Sequence, residues 1–238
     1  MKPKTLERLR RISGGIKDYF FPKNCLNCSA EGGWLCESCS DSLFFINVRF
    51  CPFCGTATPL FHVCEKCRKT TGTQKVFSLF SYGDRLIQKM IKNFKYRYLQ
   101  DIVQDLEPLY RKFIFKYKML FEIKPDSILI PVPLYWYKER ERGFNQAEEI
   151  AKVIGKILDL PVRSDLVSKK VLTKNQADIK TEERFNNLKS AYKALKSIPK
   201  NIILVDDVFT TGSTIREIAS VLKSAGAENI QVITLARG

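Results

Sequence analysis

The sequence predicts an α/β domain, with a mostly parallel sheet flanked by helices, behind a small cysteine-rich module. Two observations lead to this fold class. All eight cysteines of the 238 residues lie in the first third of the chain. From Lys75 onward, short apolar runs alternate with amphipathic segments, as in strand–helix–strand units. We therefore expect one part over residues 1–72 and a second domain over residues 73–238, with the small, polar segment Thr70–Gln74 as the linker.

The cysteines form four Cys-x2-Cys pairs. This spacing puts two sulfurs on one tight knuckle, and two knuckles complete a tetrahedral four-sulfur metal site. The sequence predicts two structural zinc ions, bound by Cys25, Cys28, Cys36, Cys39, Cys51, Cys54, Cys64 and Cys67. Pairing of neighbouring knuckles needs only short loops and is preferred; interleaved pairing, as in cross-braced modules, is the alternative. A site closed by four cysteines leaves no open position, so the metal is not expected to be a catalyst.

Other interpretations of the cysteines are weaker. Disulfides require an oxidising compartment, but the basic N-terminus lacks the apolar core and cleavage site of a secretory signal. We therefore expect a cytoplasmic protein, and no apolar run is long enough to span a membrane. Iron–sulfur clusters use more closely grouped cysteines, and a redox pair normally stands alone. His62 is expected at the surface, and residues 1–19 are expected to form a helix that packs on one of the two parts.

The second domain begins with a predicted strand over residues 75–82. The next helix carries apolar residues three and four positions apart, at Leu86, Ile87, Met90, Ile91 and Phe94. A second helix is expected over residues 101–121, bent at Pro108. Residues 127–133 form a short apolar run typical of a buried strand.

Four more elements complete the predicted domain. An amphipathic helix covers residues 143–161 and is stopped by Pro161. A strand over residues 201–208, a helix from Ser213 that Gly226 stops, and a strand over residues 229–236 then follow. These last three elements form a strand–helix–strand unit, which predicts a right-handed parallel crossover.

Two adjacent acids end the predicted strand at residues 201–208, and a turn of small residues follows them. Backbone N–H groups at the start of a helix form a concave nest that suits a phosphate, and Gly212 permits close approach. Asp206 and Asp207 would repel a phosphate, so they need a different partner, and neighbouring ribose hydroxyls fit. The pattern therefore indicates a 5-phosphoribosyl site; a capped turn that follows a fortuitous acidic pair is the alternative.

The string ILVDDVFTTGST (residues 203–214) resembles the phosphoribosyl pyrophosphate-binding motif of type I phosphoribosyltransferases. This resemblance implies that the predicted α/β domain has the type I phosphoribosyltransferase fold. The resemblance implies that Asp206 and Asp207 contact the ribose hydroxyls. It also implies that the 5′-phosphate is held by Thr210, Thr211, Gly212, Ser213 and Thr214. Magnesium would enter with phosphoribosyl pyrophosphate.

Further matches are similar to the ComF competence proteins, a family that couples an N-terminal double zinc ribbon to this domain. They are residues 131–133 (PVP), residues 142–147 (RGFNQA), Thr173, Gln176, Arg184 and Asn187. The resemblance implies a role in natural transformation, in which the family handles incoming single-stranded DNA on the cytoplasmic side. Other DNA-uptake proteins are then expected partners.

Several cations and amides are candidates for binding the pyrophosphate. Guanidinium groups bind phosphate oxygens bidentately, and two arginines follow the strand at residues 127–133 in an expected loop. The candidates are Arg140, Arg142, Asn145, Gln146 and Arg184. The alternative for all five is helix capping and ion pairing.

The formal net charge of +15 favours phosphate-rich partners, although a generally lysine-rich surface is the alternative. Stretches that interleave cations with aromatics suit single-stranded nucleic acid. The candidates there are Lys92, Lys95, Arg97, Tyr135 and Tyr137. For residues 111–118 an ordinary helix with a buried face is preferred.

Three functions remain open from the sequence. The first is a protein of DNA uptake that binds phosphoribosyl pyrophosphate and single-stranded DNA, and its main alternative is an active phosphoribosyltransferase of nucleotide metabolism with an unidentified acceptor. The third is an adaptor whose zinc module docks onto another competence protein. No nucleobase-binding segment is recognisable, and no residue is predicted as a catalytic acid or base.

Overall fold

The computed structural model of this chain describes residues 23–96, 101–169 and 191–238. Tertiary contacts divide the chain into two compact units, Met1–Phe44 and Phe45–Gly238. The predicted domain boundary at residue 72 stays a prediction. The helix expected in residues 1–19 lies outside the described residues, as do Arg97, Thr173, Gln176, Arg184 and Asn187.

The described part of the smaller unit contains helix α1, Glu37–Asp41. The helices of the larger unit are α2 Glu65–Thr71, α3 Arg85–Tyr96, α4 Ile102–Lys116, α5 Trp136–Arg142, α6 Gln146–Leu158 and α7 Ser213–Ser224, with a 3₁₀ turn at Lys118–Leu120. Its strands are β1 Thr73–Ser81, β2 Ile128–Pro131, β3 Val167–Lys169, β4 Tyr192–Ala194, β5 Asn201–Phe209 and β6 Asn229–Arg237. Among the described residues, no helix is both long and apolar enough to cross a membrane.

Four strands form a parallel sheet in the order β1–β6–β5–β2. The predicted parallel pairing of β5 with β6 around α7 is confirmed. Pro131 of β2 lies beside Val205 of β5, so the segments that follow these two strands leave the same edge of the sheet. In parallel sheets ligands bind outside this carboxyl edge.

Both faces of this sheet are covered, because its strands are buried along nearly their whole length. Alternate residues such as Ile130, Leu204 and Val232 pack in one cluster with Ile218 and Leu222 of α7. Helix α6 contacts β2 and β5 and packs on α4. The predicted apolar face of α3 is buried at all five positions: Leu86, Ile87, Met90, Ile91 and Phe94.

Two predictions of local structure were wrong. Residues 70–74 are not a linker: Thr71 ends α2, Gly72 caps it with a φ of 72°, and β1 starts at Thr73. All three residues are buried, because β1 follows the helix without a break. The helix expected to reach residue 121 ends at Lys116, where Tyr117 leaves helical geometry and a 3₁₀ turn follows. Pro108 lies inside this helix, and the bend stays a prediction.

Candidate functional site

The eight cysteines form two groups of four. The first cysteine site contains Cys25, Cys28, Cys36 and Cys39, and the second contains Cys51, Cys54, Cys64 and Cys67. Within each site the sulfur atoms all lie within 4.8 Å of one another. Four sulfurs about 2.3 Å from one zinc ion would be about 3.8 Å apart, so both donor sets fit structural zinc. The preferred sequential pairing is confirmed, and His62, which is half-buried, belongs to neither site.

The two cysteine sites are built in the same way. In each, a Cys-x2-Cys turn supplies two sulfurs, and the third cysteine stands at the N-cap of a short helix: Cys36 before α1 and Cys64 before α2. Thiolates are favoured at a helix N-terminus by the positive end of its dipole. In the second site a hydrogen bond with the hydroxyl of Thr56 lowers the pKa of Cys54 to about 6, which favours the thiolate that a metal requires.

The acidic pair lies near the end of β5, at the edge expected for ligands. Asp207 is buried and its Oδ2 lies 2.5 Å from Nζ of Lys95, which comes from α3. The backbone N–H of Asp207 donates to Oδ1 of Asp206. Asp206 faces Thr234 of β6 in the sheet register. The strand therefore holds two carboxylates side by side, one of them paired with a cation.

Burial and the adjacent charge of Asp207 raise the pKa of Asp206 well above its usual value. Burial, followed by the charges of Asp207 and Asp206, likewise raises the pKa of Tyr110 in α4. The hydroxyl of Tyr110 is fully buried and has no hydrogen-bond partner among the described residues. Sequence reasoning missed Tyr110, because its spacing in α4 is that of any core residue.

A cavity of about 200 Å³ opens beside the acidic pair. Three cations line it: Lys95, Lys138 and Arg142. Its other lining residues are Val132, Leu134, Asn145, Gln146, Ala147, Asp206 and Asp207. The structure thus brings Arg142, Asn145 and Gln146, three of the pyrophosphate candidates, into one cavity with both acids.

Asn145 and Gln146 fix the start of α6. The side chain of Asn145 accepts from the N–H of Ala147 as the N-cap and donates to the carbonyl of Val132 after β2. Gln146 donates to the carbonyl of Phe94 and accepts from Arg142 at 3.2 Å. Both amides have structural roles, as the alternative interpretation held, and their contact with a ligand stays a prediction.

Arg140 and Arg142 do not lie in a loop, which corrects the sequence prediction. Residues 136–142 form α5, because its lysine, glutamates and arginines favour helix and Gly143, with a φ of 78°, ends it. Arg140 is exposed, whereas Arg142, one turn from the cavity-lining Lys138, is half-buried.

The turn after β5, Thr210–Thr214, is called the phosphate turn below. Gly212 has a φ of 72° and stands at the N-cap of α7, where no side chain caps the helix. The hydroxyl of Thr211 donates to that of Ser213 at 3.1 Å. Thr211 and Ser213 border a separate groove of about 720 Å³ along α7. Thr211 and Ser213 therefore line a different cavity from the acidic pair, rather than the single pocket expected.

The nucleic-acid candidates separate in the structure. Lys92 and Tyr137 are exposed, the latter by 59%, and Tyr135 is half-buried. Lys95 instead pairs with Asp207 inside the cavity. In residues 111–118 the helical interpretation holds, since Phe113, Ile114 and Tyr117 are buried.

Two domain families match the chain. The double zinc ribbon domain matches residues 16–68, and the phosphoribosyl transferase domain matches residues 140–238. Competence protein F of Haemophilus influenzae is 30% identical over 230 residues, which cover 92% of this chain and 98% of that protein. The chain belongs to the ComF family.

Other relatives agree with this family. Competence protein ComFC of Bacillus subtilis is 29% identical over 85% of this chain and 84% of that protein. The DNA utilization protein YhgH of Escherichia coli K12 is 28% identical over 87% of this chain and 92% of that protein. Among solved structures, Leishmania donovani UMP synthase matches with 17% identity and a TM-score of 0.32, covering 83% of this chain and 29% of that one, which is too low a likeness to support an argument.

Proposed function

We propose that this ComF-family chain binds phosphoribosyl pyrophosphate at the carboxyl edge of the sheet and acts in DNA uptake, where it also binds single-stranded DNA. The observation that carries the proposal is the acidic pair at the end of β5, half-buried Asp206 and buried Asp207, in one cavity with three cations. The names of the relatives, competence protein and DNA utilization protein, support the DNA-related role.

The ribose is assigned to the acidic pair. Carboxylates accept hydrogen bonds from vicinal hydroxyls, and Asp206 and Asp207 are adjacent on a rigid, buried strand. The 5′-phosphate is assigned to the phosphate turn, where the first N–H groups of α7 lack acceptors within the helix. Gly212 lets the phosphate approach the backbone closely.

The pyrophosphate is assigned to the cationic side of the cavity. Arg142 offers a planar fork of donors and Lys138 a point charge. Magnesium prefers oxygen ligands, so Asp206 and Asp207 could help to hold an ion that enters with the diphosphate, and this ion would supply positive charge. Lys95 would exchange part of its contact with Asp207 for phosphate oxygens.

Single-stranded DNA is assigned to α5 and its surroundings. Trp136 and Tyr137 are exposed by 54% and 59%, and they share the helix with Lys138, Arg140 and Arg142. Exposed aromatics beside cations stack bases and contact phosphates. A strand bound there would have its sugar-phosphate close to the cavity, so the two ligands are expected to influence each other.

A calorimetric titration with phosphoribosyl pyrophosphate and Mg²⁺, repeated in the presence of an oligothymidine, tests both parts. We expect one binding site for the small ligand, and an affinity for the oligonucleotide that falls steeply with salt. Reversal of charge at Arg140 should reduce the salt dependence. Binding of neither ligand would contradict the proposal.

Phosphoribosyl transfer is the second candidate, because the three cations could stabilise a departing pyrophosphate. The measurement is release of pyrophosphate in the presence of single nucleobases and of DNA. Release that depends on one acceptor would establish an enzyme. Tight binding without release would leave a ligand-binding protein.

A further inference from the structure

The second cysteine site packs against the phosphate turn. Phe53, between Cys51 and Cys54, lies so close to Gly212 that a Cβ on Gly212 would be 2.8 Å from Cε1 of Phe53. The same Cβ would be 2.5 Å from Cζ of Phe209, the last residue of β5. The Phe53 and Phe209 rings meet edge to face, with centroids 5.6 Å apart. The backbone of the turn is therefore in direct contact with the metal knuckle Cys51–Cys54.

Two arginines extend this contact. The guanidinium carbon of Arg216, in the first turn of α7, lies 5.2 Å from the centroid of the Phe53 ring. Arg237 at the end of β6 donates to the carbonyl of Pro52, and its guanidinium carbon lies 5.3 Å from the Phe209 ring. Both cation–π contacts are attractive, because the guanidinium groups lie within about 6 Å of the ring centroids. The knuckle is thus tied to the residues on both sides of the turn.

Within the phosphate turn, the side-chain contacts are the hydroxyl bond from Thr211 to Ser213 and a long bond of 3.4 Å from the N–H of Ser213 to the hydroxyl of Thr211. Thr210, Thr211 and Ser213 are exposed, and no side chain caps α7. Gly212 is the exception, since it is buried by the two phenylalanine rings. Glycine also has the largest conformational freedom of any residue in the unfolded chain, so a contact that orders it is especially effective. The position of the turn therefore depends on Phe53.

The position of Phe53 depends in turn on the second cysteine site. A knuckle of two residues between metal ligands is held mainly by the ligands, because the binding free energy of structural zinc is used for folding. Cys51 and Cys67 are buried within the core cluster of the larger unit, whereas Cys54 is exposed. Zinc bound by the four sulfurs would close this side of the knuckle and fix the ring.

We propose that the second metal knuckle positions the phosphate turn through Phe53, so that metal at this site sets the affinity for a sugar 5′-phosphate. This proposal rests on the proposed function in one respect, namely that the ligand of the turn is a sugar phosphate. The ordering of the turn is a separate consequence that can be measured without any ligand.

The experiment uses the full chain and measures three quantities: zinc content, hydrogen–deuterium exchange of residues 209–216, and calorimetric affinity for ribose 5-phosphate. Phe53→Ala keeps all eight cysteines and is the principal variant. Phe53→Leu keeps an apolar side chain against Gly212 and should restore part of the effect. Cys54→Ser and Cys28→Ser form a matched pair, since both are exposed cysteines that occupy the same position in the two sites.

In Phe53→Ala we expect two zinc ions, faster exchange in the turn, and an affinity about tenfold lower, which corresponds to the loss of one aromatic contact and one cation–π contact. Cys54→Ser and Cys28→Ser should each lose one zinc ion, but only Cys54→Ser should loosen the turn and weaken binding. Unchanged exchange in Phe53→Ala would overturn the positioning role, as would equal effects of the two serine variants. A third outcome separates the two proposals. If the unmodified chain binds no ribose 5-phosphate but the turn of Phe53→Ala still exchanges faster, the positioning role is supported and the proposed function is contradicted.

Discussion

The ends of β5 and β2 lie side by side at one edge of the sheet, yet they present the cavity with different chemistry. The end of β5 offers carboxylates from the strand itself, followed by a turn of backbone amides. The segment after β2 offers long cationic side chains from the short, mostly exposed helix α5. The first set is fixed by buried backbone, and the second is adaptable. We therefore expect the β5 end to select the sugar phosphate and the α5 side to adjust affinity for charge.

The largest effect is expected where a rigid backbone contact is removed. Gly212→Ala would put a Cβ 2.5 Å from Phe209, at a φ of 72° that disfavours alanine. We expect affinity for ribose 5-phosphate to fall about 100-fold, from steric overlap together with backbone strain. Calorimetry is the measurement.

Gly32→Ala, in the first cysteine site, is the matched control for that variant. Gly32 has a φ of 113°, but no atom lies within 4 Å of an added Cβ, so strain is present without overlap. Its affinity should stay close to that of the unmodified chain. Equal losses in the two variants would show that the packing at Gly212 is unimportant.

The next effect concerns the acidic pair. Asp207→Ala removes a proposed acceptor for a ribose hydroxyl and leaves Lys95, whose side chain is 23% exposed, without this partner. Because hydrogen bonds to charged groups contribute about 1.5–3 kcal/mol, we expect affinity for phosphoribosyl pyrophosphate to fall at least about tenfold. Asp165→Ala, which removes an exposed acid paired with Arg163 and Lys196, should change nothing. An unaltered affinity in Asp207→Ala would remove Asp207 from the site.

A smaller and more selective effect is expected on the α5 side. Arg142→Ala should weaken phosphoribosyl pyrophosphate by about tenfold, through loss of one charge-assisted contact, and should leave ribose 5-phosphate unchanged. Arg140→Ala is the control on the same helix, because Arg140 is exposed and outside the cavity lining. If Arg142→Ala lowered the affinity for both ligands equally, the proposal that the β5 end binds the sugar phosphate and the α5 side binds the pyrophosphate would be wrong.

The smallest effect is on stability. The pKa of Asp206 is raised in the folded protein, so its ionisation is unfavourable to folding. This penalty is absent below the pKa of the unfolded aspartate, about 3.9, and grows as the pH rises toward the folded-state pKa. Asp206→Asn should therefore raise the melting temperature by about 2–4 °C for each kcal/mol gained at pH 7, with little change near pH 4.

Asp165→Asn provides the opposite case for the pH series. Hydrogen bonds from Arg163 and Lys196 lower the pKa of Asp165, so its charge favours folding above the unfolded pKa and that contribution is lost as the pH falls. Since the pair is exposed, its removal should not raise the melting temperature at any pH. An equal rise in melting temperature in Asp165→Asn and Asp206→Asn would contradict the explanation that burial of the Asp206 carboxylate destabilises the folded protein.

The predicted strand–turn–helix over residues 201–227 was confirmed because its signals are contiguous in the chain. The apolar run, the acids, Gly212 and the amphipathic helix each act within a few residues of one another. The cysteine sites were predictable for the same reason, since each knuckle is local. Residue types and spacing are sufficient when the contacts themselves are local.

Contacts between distant elements were not predictable. The pairing of Lys95 with Asp207 was not predicted, because the packing of α3 brings together residues more than a hundred positions apart; binding of nucleic acid by Lys95 stays a prediction. Tyr110 and Phe53 carry no signal of their own, because an aromatic that packs beside a site has the same sequence pattern as one that packs in the core. The order of the strands determines which distant residues become neighbours. No short stretch of the sequence specifies that order.

The most direct test of the central claim is ³¹P NMR of phosphoribosyl pyrophosphate with Mg²⁺ and the full chain, since the 5′-phosphate and the pyrophosphate give separate signals. The account predicts that the 5′-phosphate signal shifts on binding, that the shift persists in Arg142→Ala and that it disappears in Gly212→Ala. A 5′-phosphate signal that does not respond to the unmodified protein would contradict the assignment of the phosphate turn.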